Sequence, residues 1–117
     1  MGKQEEKPLL LECLGDTPIL RMLDFLIENR LFDYSKKQII EETGLSKVTF
    51  YKYWGKILEL KLVMPTRSFG KATLYKINEK NQLVKHLMQL ELDLIEQTAP
   101  APLAMKNAKA SRTASPA

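Results

Sequence analysis

The chain has 117 residues, 44% of them hydrophobic, which suits one domain with a small core and is too apolar for a wholly disordered chain. Its 18 Lys and Arg against 14 Asp and Glu leave a formal charge of +4, and a single cysteine and a single histidine exclude a disulfide framework, a multi-cysteine zinc site and a His-based metal or catalytic constellation. No run of 18 apolar residues is present and Met1–Lys7 lacks the apolar stretch of a secretory signal, so the expectation is a cytoplasmic, non-enzymatic protein without a cofactor.

In chain order, residues 1–15 read as an N-terminal arm, whose apolar part from Pro8 to Leu14 fits a strand or a single helical turn. Asp16-Thr17-Pro18 is a helix start, with a capping oxygen and a proline in the first turn. Ile19, Leu20, Leu23, Leu26 and Ile27 follow at helical spacing, with Arg21, Asp24 and Glu28 on the other side, and predict an amphipathic helix of about four turns. Leu31–Tyr34 connects it to Ser35-Lys36-Lys37-Gln38, a capping-box pattern that opens a short helix stopped by Gly44. Ser46 caps a third helix with Phe50, Trp54, Ile57 and Leu60 as its inward set. Leu62-Val63-Met64, the turn signal Ser68-Phe69-Gly70-Lys71 and the alternating Ala72–Ile77 predict a β-hairpin. Asn78 or Asn81 caps a last helix to about Gln97, with apolar residues on more than one face. Residues 98–117 are Ala, Pro, Ser, Thr and Lys, a basic tail with too little apolar surface to stay ordered.

Charge is distributed unevenly along this order. Residues 35–76 carry nine basic and three acidic side chains, while residues 1–34 carry four and seven, and residues 77–97 carry two and four. A basic block between acidic neighbours points to a polyanionic partner.

The stretch 39–63, IIEETGLSKVTFYKYWGKILELKLV, resembles the core signature of bacterial and archaeal winged helix-turn-helix transcription regulators. The resemblance extends over about residues 16–77 and is most specific at Thr43-Gly44-Leu45-Ser46 and Thr49-Phe50. In that pattern the glycine makes the turn, the leucine packs beneath it and the serine opens the recognition helix. Two positions depart from it: Lys61 stands where a glycine is usual, and Gly55 lies inside the recognition helix, where it costs ~1 kcal/mol relative to alanine. The implied fold is mainly α with a small β-hairpin (α+β), a winged helix-turn-helix over 16–77 followed by a C-terminal dimerisation helix over 78–97.

The implied function is sequence-selective binding of double-stranded DNA for transcription regulation. A helix over about 46–61 would lie in the major groove, and a wing over 67–71 would touch the flanking minor groove or backbone. The residues expected to carry it are Ser46, Lys47, Val48, Thr49, Tyr51, Lys52, Tyr53 and Lys56 on the helix. Ser35 and Lys36 stand at the start of the preceding helix, where backbone amides can face a phosphate, and Arg67 and Lys71 bracket the hairpin tip. Trp54 and Phe50 read as core, Cys13 as a buried small hydrophobe, and His86 and the pairs Glu5-Glu6 and Glu41-Glu42 as solvated. No metal ligand set and no effector site is legible.

Such domains usually act as homodimers, with half-sites ~34 Å apart. Surplus apolar surface on the last helix, at Leu87, Leu90, Leu94 and Ile95, is the expected dimer interface, to which segment 8–14 can add. Two other functions fit the same order of elements. One is a protein-interaction module; the other is an architectural or partition DNA-binding protein using the basic tail as a non-specific arm.

Overall fold

Helices begin where a side-chain oxygen can accept the first unpaired amides. A computed structural model describes residues 8–98, so the expectations for residues 1–7 and for the tail beyond Thr98 lie outside the described residues. Thr17 accepts from the Leu20 amide at 3.2 Å and Pro18 takes the first position of α2 (Pro18–Glu28). Ser35 and Gln38 form a reciprocal capping box on α3 (Lys36–Thr43). Ser46 accepts from the Thr49 amide at 3.1 Å and opens α4 (Lys47–Glu59). Gly44, at φ 75°, supplies the left-handed residue that ends α3 and leaves room for Ser46 two positions later.

Ahead of these, the apolar stretch of the expected arm is the helix α1 (Leu9–Leu14). It buries Leu10 and Leu11 and packs against α2 and against the last helix, α5 (Gln82–Thr98). Asn81 rather than Asn78 caps α5, its Oδ1 accepting from the amides of Leu83 at 2.7 Å and Val84 at 3.3 Å. The helix α2 has 11 residues, about three turns rather than four, because Asn29 closes it.

The hairpin is present as β2 (Val63–Phe69) and β3 (Ala72–Ile77), joined by Gly70 and Lys71 with Gly70 at φ 60°. A third strand joins it: β1 (Tyr34–Ser35) pairs antiparallel with Tyr75 and Leu74, giving the sheet order β1-β3-β2. Residues 31–34, expected only to connect, therefore end in the sheet. Pro65 is tolerated because β2 is an edge strand, and the register shifts between Pro65 and Arg67, so Thr66 is an extra residue bulging from the ladder. Among the described residues, five helices and a small three-stranded antiparallel sheet make an α+β architecture.

One apolar cluster binds the elements together. It draws Met22, Leu23, Leu26 and Ile27 from α2, Ile39 from α3, Phe50, Trp54 and Ile57 from α4, then Leu62, Val63, Ile77 and Val84. Phe50 and Trp54 stack at 4.9 Å and Tyr75 meets the Trp54 ring edge-on at 5.1 Å. Truncating Phe50 to alanine would cost about 3–5 kcal/mol on the scale of buried aromatics.

Three residues lie elsewhere than expected. Leu60 is 42% exposed because α4 ends before it and the chain turns outward. Cys13 is exposed, since α1 turns Leu10 and Leu11 inward instead. Asp24, assigned to the polar side of α2, is only 5% exposed, because neighbours pack on more of that helix than a single stripe would require.

Candidate nucleic-acid interface

The geometry of α4 divides its side chains cleanly. Phe50, Trp54 and Ile57 repeat every three to four residues and face the core. Lys47, Val48, Lys52 and Lys56 are exposed, and Val48 is 80% accessible. Tyr51 is about half exposed and its ring meets Phe50 edge-on at 5.0 Å, which fixes its direction. Tyr53 is half-buried against the core cluster, with the Lys52 ammonium 5.6 Å above its ring. Thr49 is also half-buried, and Ser46 Oγ donates to its hydroxyl at 3.0 Å while accepting from its amide. The cap thus holds both hydroxyls at the start of α4.

The preceding helix meets this face at its own start. Lys36 extends its ammonium to 5.6 Å above the Tyr51 ring. Between α3 and the first turns of α4 lies an open depression of about 360 Å³ lined by Lys37, Ile40, Glu41, Lys47 and Tyr51. Lys36, Lys37, Lys47 and Tyr51 therefore converge, although Lys37 was not expected to take part; its only sequence signal is its place beside Lys36. The ammonium groups of Lys36, Lys37, Lys47, Lys52 and Lys71 have no carboxylate within 4.0 Å among the described residues. Lys56 has one, Glu59 at 3.5 Å. Ser35 is engaged in its capping box, so its hydroxyl already accepts one of the amides at the start of α3.

The hairpin residues differ from one another. Lys71 sits in the two-residue turn and is exposed. Arg67 lies within β2 instead of at the tip and is held by Asp33, which precedes β1. Its Nε donates to Oδ2 at 2.9 Å and its Nη2 to Oδ1 at 3.1 Å, while the Thr66 hydroxyl also donates to Oδ2. These donors hold the Asp33 carboxyl well below its ordinary range, at about 2, and the carboxylate raises the Arg67 guanidinium in turn. The guanidinium also lies 5.1 Å from the centre of the Phe69 ring. Nothing in the sequence signals a pairing between residues 34 positions apart.

Of the expected interface on α5, Leu87 packs against the core of its own chain, Leu90 and Leu94 are half-buried, and Ile95 is exposed. Leu83, Leu87, Leu90 and Leu94 alternate spacings of four and three, the rhythm of a coiled-coil seam. Among the described residues no helix is long and apolar enough to cross a membrane, and no group of His, Cys, Asp and Glu side chains is arranged to hold a metal ion. A scan of protein-family models finds no match to the chain, and a search of curated proteins finds none either.

Proposed function

We propose that the chain is a winged helix-turn-helix regulator that binds double-stranded DNA in a sequence-selective way. In this reading α3 and α4 form the helix-turn-helix, α4 enters the major groove and the β2–β3 hairpin is the wing. The observation that carries it is the division of α4: Phe50, Trp54 and Ile57 are buried, while Val48 and Lys52 project from the opposite side and Lys47 is exposed in the first turn, neither lysine having a carboxylate within 4.0 Å among the described residues. Lysine ammonium groups donate to phosphates and to guanine edges, and an exposed valine suits a thymine methyl. Lys36, Lys37 and Lys47 around the α3–α4 depression would follow one phosphate strand. A homodimer joined through α5 would present two such helices to a two-fold operator.

Lys52→Ala tests this reading. It should weaken binding to a selected operator by ~1 kcal/mol or more at fixed salt and leave the melting temperature nearly unchanged. Equal affinity in a salt-matched mobility shift would remove Lys52 from the interface.

A second reading as a protein-interaction module draws on Leu31 and Phe32. These adjacent apolar residues are 80% and 61% exposed in the turn after α2. Absence of any shift with either random or genomic DNA would favour it.

A further inference from the structure

The Asp33–Arg67 pair immobilises an arginine on the outside of the molecule. An arginine guanidinium is a planar fork with five donors. Asp33 occupies the edge made by Nε and Nη2, Phe69 lies against the ring face side at 5.1 Å, and Thr66 anchors the carboxylate from the bulge. Nη1 has no hydrogen-bond partner among the described residues, and the side chain remains 60% exposed. What is left for a ligand is the outer edge, Nη1 with the second hydrogen of Nη2, pointing away from Asp33 in a fixed plane.

Two acceptors on DNA fit such an edge: a phosphate, or a pair of neutral acceptors on base edges. The carboxylate of Asp33 decides between them. A phosphate drawn to Arg67 would come close to a second anion that is ionised at any physiological pH, and the formally neutral pair supplies little long-range attraction. Neutral acceptors such as guanine O6 and N7, or purine N3 and pyrimidine O2, carry no such repulsion and gain from a donor edge whose direction is set in advance. The bulge at Thr66 serves the same end, since the extra residue re-aims the β2 backbone where Arg67 leaves it.

We propose that Asp33 is a positioning residue that makes Arg67 a reader of base edges rather than a phosphate clamp. The proposal rests on the DNA-binding reading above and adds to it which hairpin residue confers sequence preference and what holds it. It differs from the behaviour expected of the unpaired lysines on α3 and α4, whose contacts would be mainly electrostatic.

The test uses the full chain and a duplex selected from a random-sequence library by the wild-type protein. Affinity is measured for that duplex and for versions changed at the positions flanking the α4 footprint, over about 50–200 mM salt. Arg67→Ala is expected to lose about fivefold or more of discrimination at the flanking positions with the salt slope unchanged. Arg67→Lys, which keeps the charge and loses the fork, should lose the same discrimination. Asp33→Ala should also lose it, while its salt slope steepens by about one contact because the freed guanidinium turns to phosphate. A shallower slope with discrimination intact in Arg67→Ala would make Arg67 a phosphate contact and overturn the proposal. Unchanged binding in all three variants with lowered melting temperatures would reduce the pair to a structural tie and overturn it as well. Failure of the wild-type chain to enrich any sequence would instead overturn the DNA-binding reading itself.

Discussion

Asn81 donates its side-chain amide to the carbonyl oxygen of Leu60 across 2.9 Å, and through that contact one residue serves the ends of two helices. The same amide reaches the Lys61 carbonyl at 3.1 Å, where Asn78 donates at 2.9 Å, so the two carbonyls that follow α4 are taken up by the segment that starts α5. The carboxamide oxygen of Asn81 meanwhile accepts the first amides of α5. Asn81→Ala should therefore remove an N-cap and a C-terminal clasp together and destabilise the fold by about 1–2 kcal/mol. Asn81→Asp retains the cap oxygen and loses the donors, so urea denaturation should find it between alanine and wild type.

Lys61 is the one described residue other than glycine with positive φ, at 59°. It occupies the left-handed position of a complete helix-ending motif, in which the Leu62 amide donates to Ile57 O and the Lys61 amide to Leu58 O, both at 3.0 Å. The helix thus ends as a glycine would end it, with a side chain that disfavours the conformation. Lys61→Gly should stabilise the protein by ~1 kcal/mol, measured as a higher urea midpoint with an unchanged slope.

These two residues mark the boundary of what the sequence makes legible. Thr17-Pro18, Ser35 with Gln38, Gly44 and Ser46 announce helix ends because each acts within three or four residues of itself. The inward set Phe50, Trp54 and Ile57 is legible for the same reason, as a local period, and the outward lysines follow from it. The clasp on the Lys61 carbonyl depends on asparagines 17 and 20 positions away, the strand at Tyr34–Ser35 on a partner about forty positions on, and the hold on Arg67 on Asp33. None of these has a short-range signature. Asp24 was misplaced because its helix carries apolar residues around much of its girth, which leaves the boundary of the stripe undefined until α1 and α5 are in position.

Asp24 gives the fold a pH dependence. Burial, then the neighbouring carboxylates Glu28 and Glu91, push its carboxyl up from 3.8 to about 6, and its Oδ1 is buried without a hydrogen-bond partner among the described residues. Burial and Glu28 also raise Glu91, with Arg30 opposing them. An acid with a raised folded-state pKa binds more protons folded than unfolded between the two values, so stability should rise as pH falls from about 6 towards 4. At pH 7 the charge is present in both states and its burial cost is fully expressed. Asp24→Asn should accordingly stabilise the protein at pH 7 by on the order of 1 kcal/mol, an amount kept small by screening at the exposed Glu28, and should flatten the stability profile between pH 4 and 6. Thermal melts across that range, wild type against variant, measure both effects.

The stripe Leu83, Leu87, Leu90 and Leu94 on α5 carries the last prediction. Leu87 reaches the core of its own chain, Leu90 and Leu94 are half-buried, and Leu83 is exposed, so the stripe is only partly covered within one chain. Two copies of this 17-residue helix, each ~25 Å long, would bury the remainder against one another with seam spacing already in place. Leu90→Glu with Leu94→Glu should convert a dimer to a monomer in sedimentation at micromolar concentration. On the DNA-binding function proposed above, the loss of linkage between the two copies should weaken operator binding by ~100-fold or more. Leu83→Glu checks the result at a position that is exposed in the single chain, so a fall in mass there reports the interface rather than damage to packing within one chain. A double variant of unchanged mass would move the interface away from α5, and a wild-type chain that sediments only as a monomer would overturn the dimer itself.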